Sequence, residues 1–256
     1  GAGAVACGLT PVEIGSDIGG SIRQPAHFSG ICGHKPSQGV IDKFGMVPPY
    51  PMSLNQETLA VAGPLARNCG DLSLMLDILS GPEPERAAGG WSLTLPPPAV
   101  TDPAKLRVAV WADDPFCPVD TEYVSLIKAA AETLSQAGAV VDHSARPALT
   151  FEESNTVYGP TLADSMSGKG VSGKLNNERL KLKKKWAEFW AGKKSGVEGG
   201  GSSSGGFDVL LCPVTPTAAL RIDESQPSHE RPFHVNGQKR QYWDNVLWNG
   251  LTIIAD

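Results

Sequence analysis

Residues 15 to 27 read Gly-Ser-Asp-Ile-Gly-Gly-Ser-Ile-Arg-Gln-Pro-Ala-His, and this run holds the parts that acyl transfer needs. Gly19 and Gly20 permit backbone angles closed to other residues and clear space for a substrate to approach the main chain. Successive amide N–H groups can then point into one concavity and bind an oxygen that gains negative charge. Ser21 follows directly, so a hydroxyl nucleophile would sit beside its own oxyanion hole. Asp17 stands four residues before that serine and Arg23 two after it. By itself a Gly-Gly-Ser is more often a plain turn. The flanking residues give it its weight.

Serine attacks poorly unless a neighbouring base takes its proton. Lys35 is the nearest lysine, and His27 and His34 could in principle form a Ser-His pair, but no spacing places any of them beside Ser21. A phosphate-loop pattern is nearly met at Gly168 to Lys174, yet Leu175 stands where Ser or Thr should bind magnesium and no strand precedes it. Nucleotide binding is rejected on that ground. No His, Cys, Asp or Glu cluster has metal-ligand spacing, so neither metal nor cofactor is expected.

Composition narrows the class. The 256 residues are 41% hydrophobic and 19% charged, ordinary for a globular domain, with a net charge of −5. An acidic chain lacks the basic face that phosphate neutralisation needs, which argues against a nucleic-acid partner. No apolar stretch reaches the length of a membrane span. Cysteines 7, 32, 69, 117 and 212 are odd in number and scattered, which suits reduced thiols in a cytoplasmic protein. The start at Gly1 and the stop in the apolar, strand-like run 251–256 read as the ends of a piece of a longer chain, truncated on both sides.

The positioning elements can be sketched from pattern. Residues 1–8 suit a close-packed helix stopped by Gly8, and Val12 to Ile14 a short strand that delivers the glycine turn. Residues 58–66 read as a strand and turn, with Asp71 as N-cap of a helix over 72–79 that ends at Gly81-Pro82. The Pro-rich stretch 82–103 reads as a surface connection. A strand–helix–strand unit follows: a buried strand over 106–111, a helix carrying Val124, Ile127, Ala131 and Leu134 and closed by Gly138, and a strand from Ala139. A charged helix over 176–194 has Leu180, Leu182, Trp186 and Trp190 for anchorage. The Gly/Ser stretch 196–206 reads as a flexible loop, and 207–213 as a core strand.

The signature run resembles that of the amidase signature family, Gly-[Ser/Thr]-Asp-x-Gly-Gly-Ser-Ile-Arg-x-Pro-Ala. It continues into Gly30-Ile-Cys-Gly-His-Lys35-Pro-Ser37, which is similar to that family's Gly-x-x-Gly-x-Lys-Pro-[Thr/Ser] segment. The Gly63-Pro64-Leu65-Ala66-Arg67 turn, the 106–111 unit, the 208–213 segment and the 235–248 stretch are similar too. The resemblance implies one α/β domain over 1–256, with a central, mixed, twisted sheet covered by helices on both faces.

It also implies roles. Ser21 matches the family nucleophile, and the amides of Ile18, Gly19, Gly20 and Ser21 match its oxyanion hole; Asp17 and Arg23 are expected to brace the loop. The family's proton relay runs through a bridging serine on a cis peptide to a lysine, and neither has a counterpart within residues 1 to 20. Lys35 falls on the structural Lys-Pro position. The implied function is hydrolysis of a linear carboxylic amide, a small molecule, with this chain alone inactive. A non-catalytic binding homologue, a component of a tRNA-dependent amidotransferase, and a homodimer remain open.

Overall fold

A computed structural model describes residues 1–43, 59–167, 170–192, 205–222, 224–225 and 227–254. Most of the Gly/Ser stretch 196–206 lies outside the described residues. The class is α/β. A first layer is small: helix α1 (Ala2–Ala6), strand β1 (Val12–Asp17), helix α2 (Arg23–Ser29), strands β2 (Cys32–Gly33) and β3 (Val61–Ala66), and helix α3 (Cys69–Leu79). These strands form an antiparallel sheet in the order β1-β3-β2, with Asp17 opposite Val61 and Cys32 opposite Ala66.

The predicted turn at Gly63-Pro64 is instead the interior of β3, fully buried, with Pro64 opposite Ile14. Proline lacks the amide that a central strand normally donates. Here its carbonyl still accepts from the His34 amide at 3.0 Å. Gly63 supplies the room, since a methyl group at that position would fall 2.2 Å from the His34 carbonyl oxygen. Asp71 is not the N-cap of α3. Asn68 holds that place and accepts from the Asp71 amide at 2.9 Å, which moves the start of the helix three residues earlier than predicted.

The second layer contains the predicted strand–helix–strand unit. Strands β4 (Arg107–Val110) and β5 (Val140–Asp142) flank helix α5 (Thr121–Gln136), and strand β6 (Val209–Leu211) joins β4 on its other edge, all parallel, in the order β5-β4-β6. Val108 and Val110 pack on Ile127, Ala131 and Ala139. The Pro-rich connection contains one short helix, α4 (Pro84–Ala88).

Four helices escaped the sequence pattern: α2, α4, α6 (Phe151–Met166) and α8 (Leu247–Ile253). Helix α6 has only a weak apolar stripe and is capped by Thr150. Helix α8 occupies a stretch whose end, 251–256, reads as a strand by its apolar run. Buried Trp248, Leu251 and Ile253 pack α8 into an aromatic core with Trp111, Phe151, Tyr158 and Trp186. A short run of apolar residues cannot by periodicity tell a buried helix from a buried strand. The charged helix is α7 (Gly173–Trp190), anchored by the expected Leu182 and Trp186 and by Phe189; of the other expected anchors, Trp190 is partly exposed but stacks on Trp186, and Leu180 faces solvent. A hairpin of β7 (Phe233–Val235) and β8 (Gln238–Arg240) turns at Asn236-Gly237, both at positive φ, the pairing that two-residue hairpins favour. Among the described residues no helix is long and apolar enough to cross a membrane.

Candidate active site

Strand β1 delivers the chain to Asp17, and α2 carries it away from Arg23, so residues 18 to 22 form the connecting loop. Asp17 is fully buried. One of its carboxylate oxygens accepts from the Gly20 amide at 2.8 Å and from Arg23 Nη2 at 2.9 Å. The other accepts from the amides of Ile22 and Arg23, at 3.2 and 3.3 Å, and from Arg23 Nε at 3.0 Å. A buried charge is tolerable only when paired and saturated with hydrogen bonds in this way. Burial pushes the Asp17 carboxyl up, but the Arg23 hydrogen bond and charge, with the Gly20 and Ile22 amides, outweigh it and hold the group below the usual carboxylate range. The loop is therefore wound around an anion.

Arg23 extends the brace across the molecule. Its Nη1 donates to the Asn249 carbonyl at 3.1 Å and to Thr252 Oγ1 at 2.9 Å, both on α8. Gln24 donates to the Asn245 carbonyl at 2.6 Å. The expected Asp17–Arg23 pair is thus present, and it ties the glycine loop to residues more than two hundred positions away.

Ile22 explains why Ser21 faces outward. Ile22 is fully buried, and its side chain fills a slot floored by three glycines. Methyl groups at Gly15, Gly33 and Gly63 would come within 3.2, 3.0 and 2.9 Å of it. With its successor pinned under the sheet, Ser21 sits exposed at the entrance to α2.

The oxyanion reading needs one correction. The Gly20 amide is spent on Asp17, so it is not free for a substrate oxygen. Gly20 sits at φ +122°, where side chains are rarely tolerated, and a methyl there would lie 2.8 Å from Asn249 Nδ2. The amides of Ile18, Gly19 and Ser21 are not among the donors to Asp17. A methyl on Gly19 would lie 3.1 Å from the Tyr158 hydroxyl on α6.

Tyr158 and Asn249 were not singled out by sequence. Asn249 donates to the Val214 carbonyl at 2.9 Å, which leaves its Oδ1 buried without a partner among the described residues. The Tyr158 hydroxyl is likewise buried and unpartnered, and burial holds its phenol well above its ordinary range, so it stays protonated as a donor. The candidate bases are engaged elsewhere. His27 contacts the Thr217 carbonyl at 3.2 Å and stacks on Tyr123, and Lys35 donates to the Pro36 carbonyl at 2.9 Å. Among the described residues, neither these nor His34 hydrogen-bonds Ser21. No group of His, Cys, Asp and Glu there could hold a metal ion.

The family model described as Amidase matches residues 1–196. The A subunit of a glutamyl-tRNA(Gln) amidotransferase from Thermus thermophilus is 46% identical over 96 residues, 38% of this chain and 18% of the relative. Its namesake from Macrococcus caseolyticus is 33% identical over 176 residues, 68% of this chain and 34% of the relative. Among solved structures, a bacterial aryl acylamidase of the amidase signature family aligns at a TM-score of 0.67 and 19% identity, covering 99% of this chain and 56% of that one. A 6-aminohexanoate cyclic dimer hydrolase aligns at 0.67 and 20%, covering 99% and 57%. The chain thus spans about a third or less of these curated relatives and just over half of these solved structures. With the signature loop, the matched residues and the shared α/β fold in agreement, this chain belongs to the amidase family.

Proposed function

We propose that this chain carries the nucleophile half of an amide-cleaving enzyme, with Ser21 as nucleophile. What carries the reading is the position of Ser21: exposed, at the entrance to α2, on a loop fixed from within by the Asp17 carboxylate. Ser21 Oγ attacks the carbonyl carbon of a linear carboxylic amide, and a C–O bond forms while the oxygen takes negative charge. The amides of Ile18, Gly19 and Ser21 stabilise that oxygen. The C–N bond then breaks, ammonia or an amine leaves, and water frees the acid from the acyl-enzyme. The serine proton passes to a Ser–Lys relay, as in the family the signature resembles, supplied by residues outside these 256.

The test has two parts. The 256-residue chain should hydrolyse a simple aryl amide at or near the background rate. The complete protein should hydrolyse it measurably, with Ser21→Ala abolishing turnover. Hydrolysis by the 256-residue chain that Ser21→Ala removes would overturn the outside relay, and a complete protein indifferent to Ser21→Ala would overturn the nucleophile.

A second reading is favoured by the relatives named as the A subunit of glutamyl-tRNA(Gln) amidotransferase. In it the same serine chemistry releases ammonia from glutamine for a partner chain to use. Glutamine-dependent ammonia transfer that requires copurifying chains separates this reading from a free-standing amidase.

A further inference from the structure

Two thiols meet on the far side of β3 from the serine loop. Cys32 lies on β2 opposite Ala66 of β3, and the chain leaves Ala66 through Arg67 and Asn68 to begin α3 at Cys69. That path returns the backbone to β2, and the two Sγ atoms lie 3.9 Å apart. Cys69 is exposed and Cys32 partly so, and no disulfide joins them. A disulfide needs its sulfurs about 2 Å apart, so the two side chains must close a gap of about 2 Å to form one. Among the described residues no third ligand completes a metal site around the pair.

We propose that Cys32 and Cys69 form a reversible disulfide, a redox modification site that staples β2 to the start of α3. The oxidant class is a hydroperoxide. It oxidises the exposed Cys69 thiol to a sulfenic acid, and the first water (or alcohol) leaves. The Cys32 sulfur then attacks the Cys69 sulfur; the S–S bond forms, the S–O bond breaks, and a second water carries off the remaining oxygen and proton. With hydrogen peroxide the sum is two thiols and one peroxide to one disulfide and two waters. A dithiol reductant reverses it by exchange. Burial and the neighbouring Cys69 raise the Cys32 thiol, which suits Cys32 to the second step rather than the first. The closed loop contains β3, the strand that pairs with β1, so the staple restrains the sheet that carries Asp17. Cross-linking a loop of this size limits the unfolded chain more than the folded one.

The chain is treated with a few equivalents of hydrogen peroxide, free thiols are alkylated, and tryptic peptides are mapped by mass spectrometry without reduction. Cleavage after Lys43 and Arg67 places the two cysteines in separate peptides. The expected product is a 32–69 linked pair that dithiothreitol separates, retained in Cys7→Ser and lost in Cys69→Ser. Oxidation should raise the thermal midpoint of the wild-type chain by about 5 °C and leave that of Cys69→Ser unchanged. Cys69 is solvent-exposed, so its serine variant keeps the fold; Cys32→Ser serves as a second variant. Sulfinic acid on Cys69 with Cys32 still open to alkylation would overturn the proposal. So would linkage of either thiol to Cys7 or to a second chain.

Discussion

The loop between β1 and α2 and the parallel unit of β4, α5, β5 and β6 are held by opposite means. The parallel unit is dry: Val108, Val110, Ile127, Ala131 and Ala139 pack on one another, and none of its residues is a buried polar group. Its stability comes from apolar area removed from water, which tolerates small rearrangements. The loop is organised around a buried carboxylate whose partners are fixed in direction. A core of the first kind supports the fold. A core of the second kind holds backbone amides and one hydroxyl at set angles, which catalysis needs and dispersion alone does not give.

This contrast can be broken by substitution. Asp17→Ala strands the Arg23 guanidinium and the amides that faced the carboxylate, and should cost about 3–5 kcal/mol in urea unfolding. Val110→Ala removes two buried methyl groups from the dry unit and should cost about 2 kcal/mol by the same measurement. If Val110→Ala proved the more damaging, the buried carboxylate would not be the stronger of the two restraints.

Protonation is a milder form of the first change. The Asp17 carboxyl titrates lower in the folded chain than in the unfolded one, so its contribution is complete above the ordinary value of 3.8 and fades as pH falls through the folded value. Stability should therefore gain no pH dependence from this group between pH 7 and 5 and should drop below about 4; an Asp17→Asn chain lacks that component of the drop. The smallest effect is expected at Ser21. Its side chain is exposed, and Ser21→Ala should leave the unfolding free energy within about 0.5 kcal/mol of the parent in urea unfolding. A large loss there would mean that the hydroxyl is structural.

Legibility in the sequence followed the range of the forces involved. The parallel unit could be read because Val124, Ile127, Ala131 and Leu134 keep helical spacing between two apolar runs. The Asp17–Arg23 pair could be read because its members are six residues apart. Asn249, Thr252 and Tyr158 could not, since nothing local links α8 or α6 to residues 15–27; the only trace was that Gly19 and Gly20 required close neighbours. The Gly20 amide was misassigned for a related reason. Two adjacent glycines say that backbone groups converge, and they do not say whether a substrate oxygen or an internal carboxylate receives them.

The sequence by itself determined the α/β class, the nucleophile candidate at Ser21, and the family whose signature runs from Gly15 to Ser37. The first two can be read from order and spacing along the chain, and the third from the resemblance of the signature run. Tertiary structure decided that β3 runs straight through Gly63-Pro64, that residues 247–253 form a helix, and that Ile22 sits in a glycine-floored slot with Ser21 turned outward. It also decided which amides the buried carboxylate takes. These outcomes depend on steric room and on hydrogen-bond direction between segments far apart in the chain, and only the assembled fold supplies both.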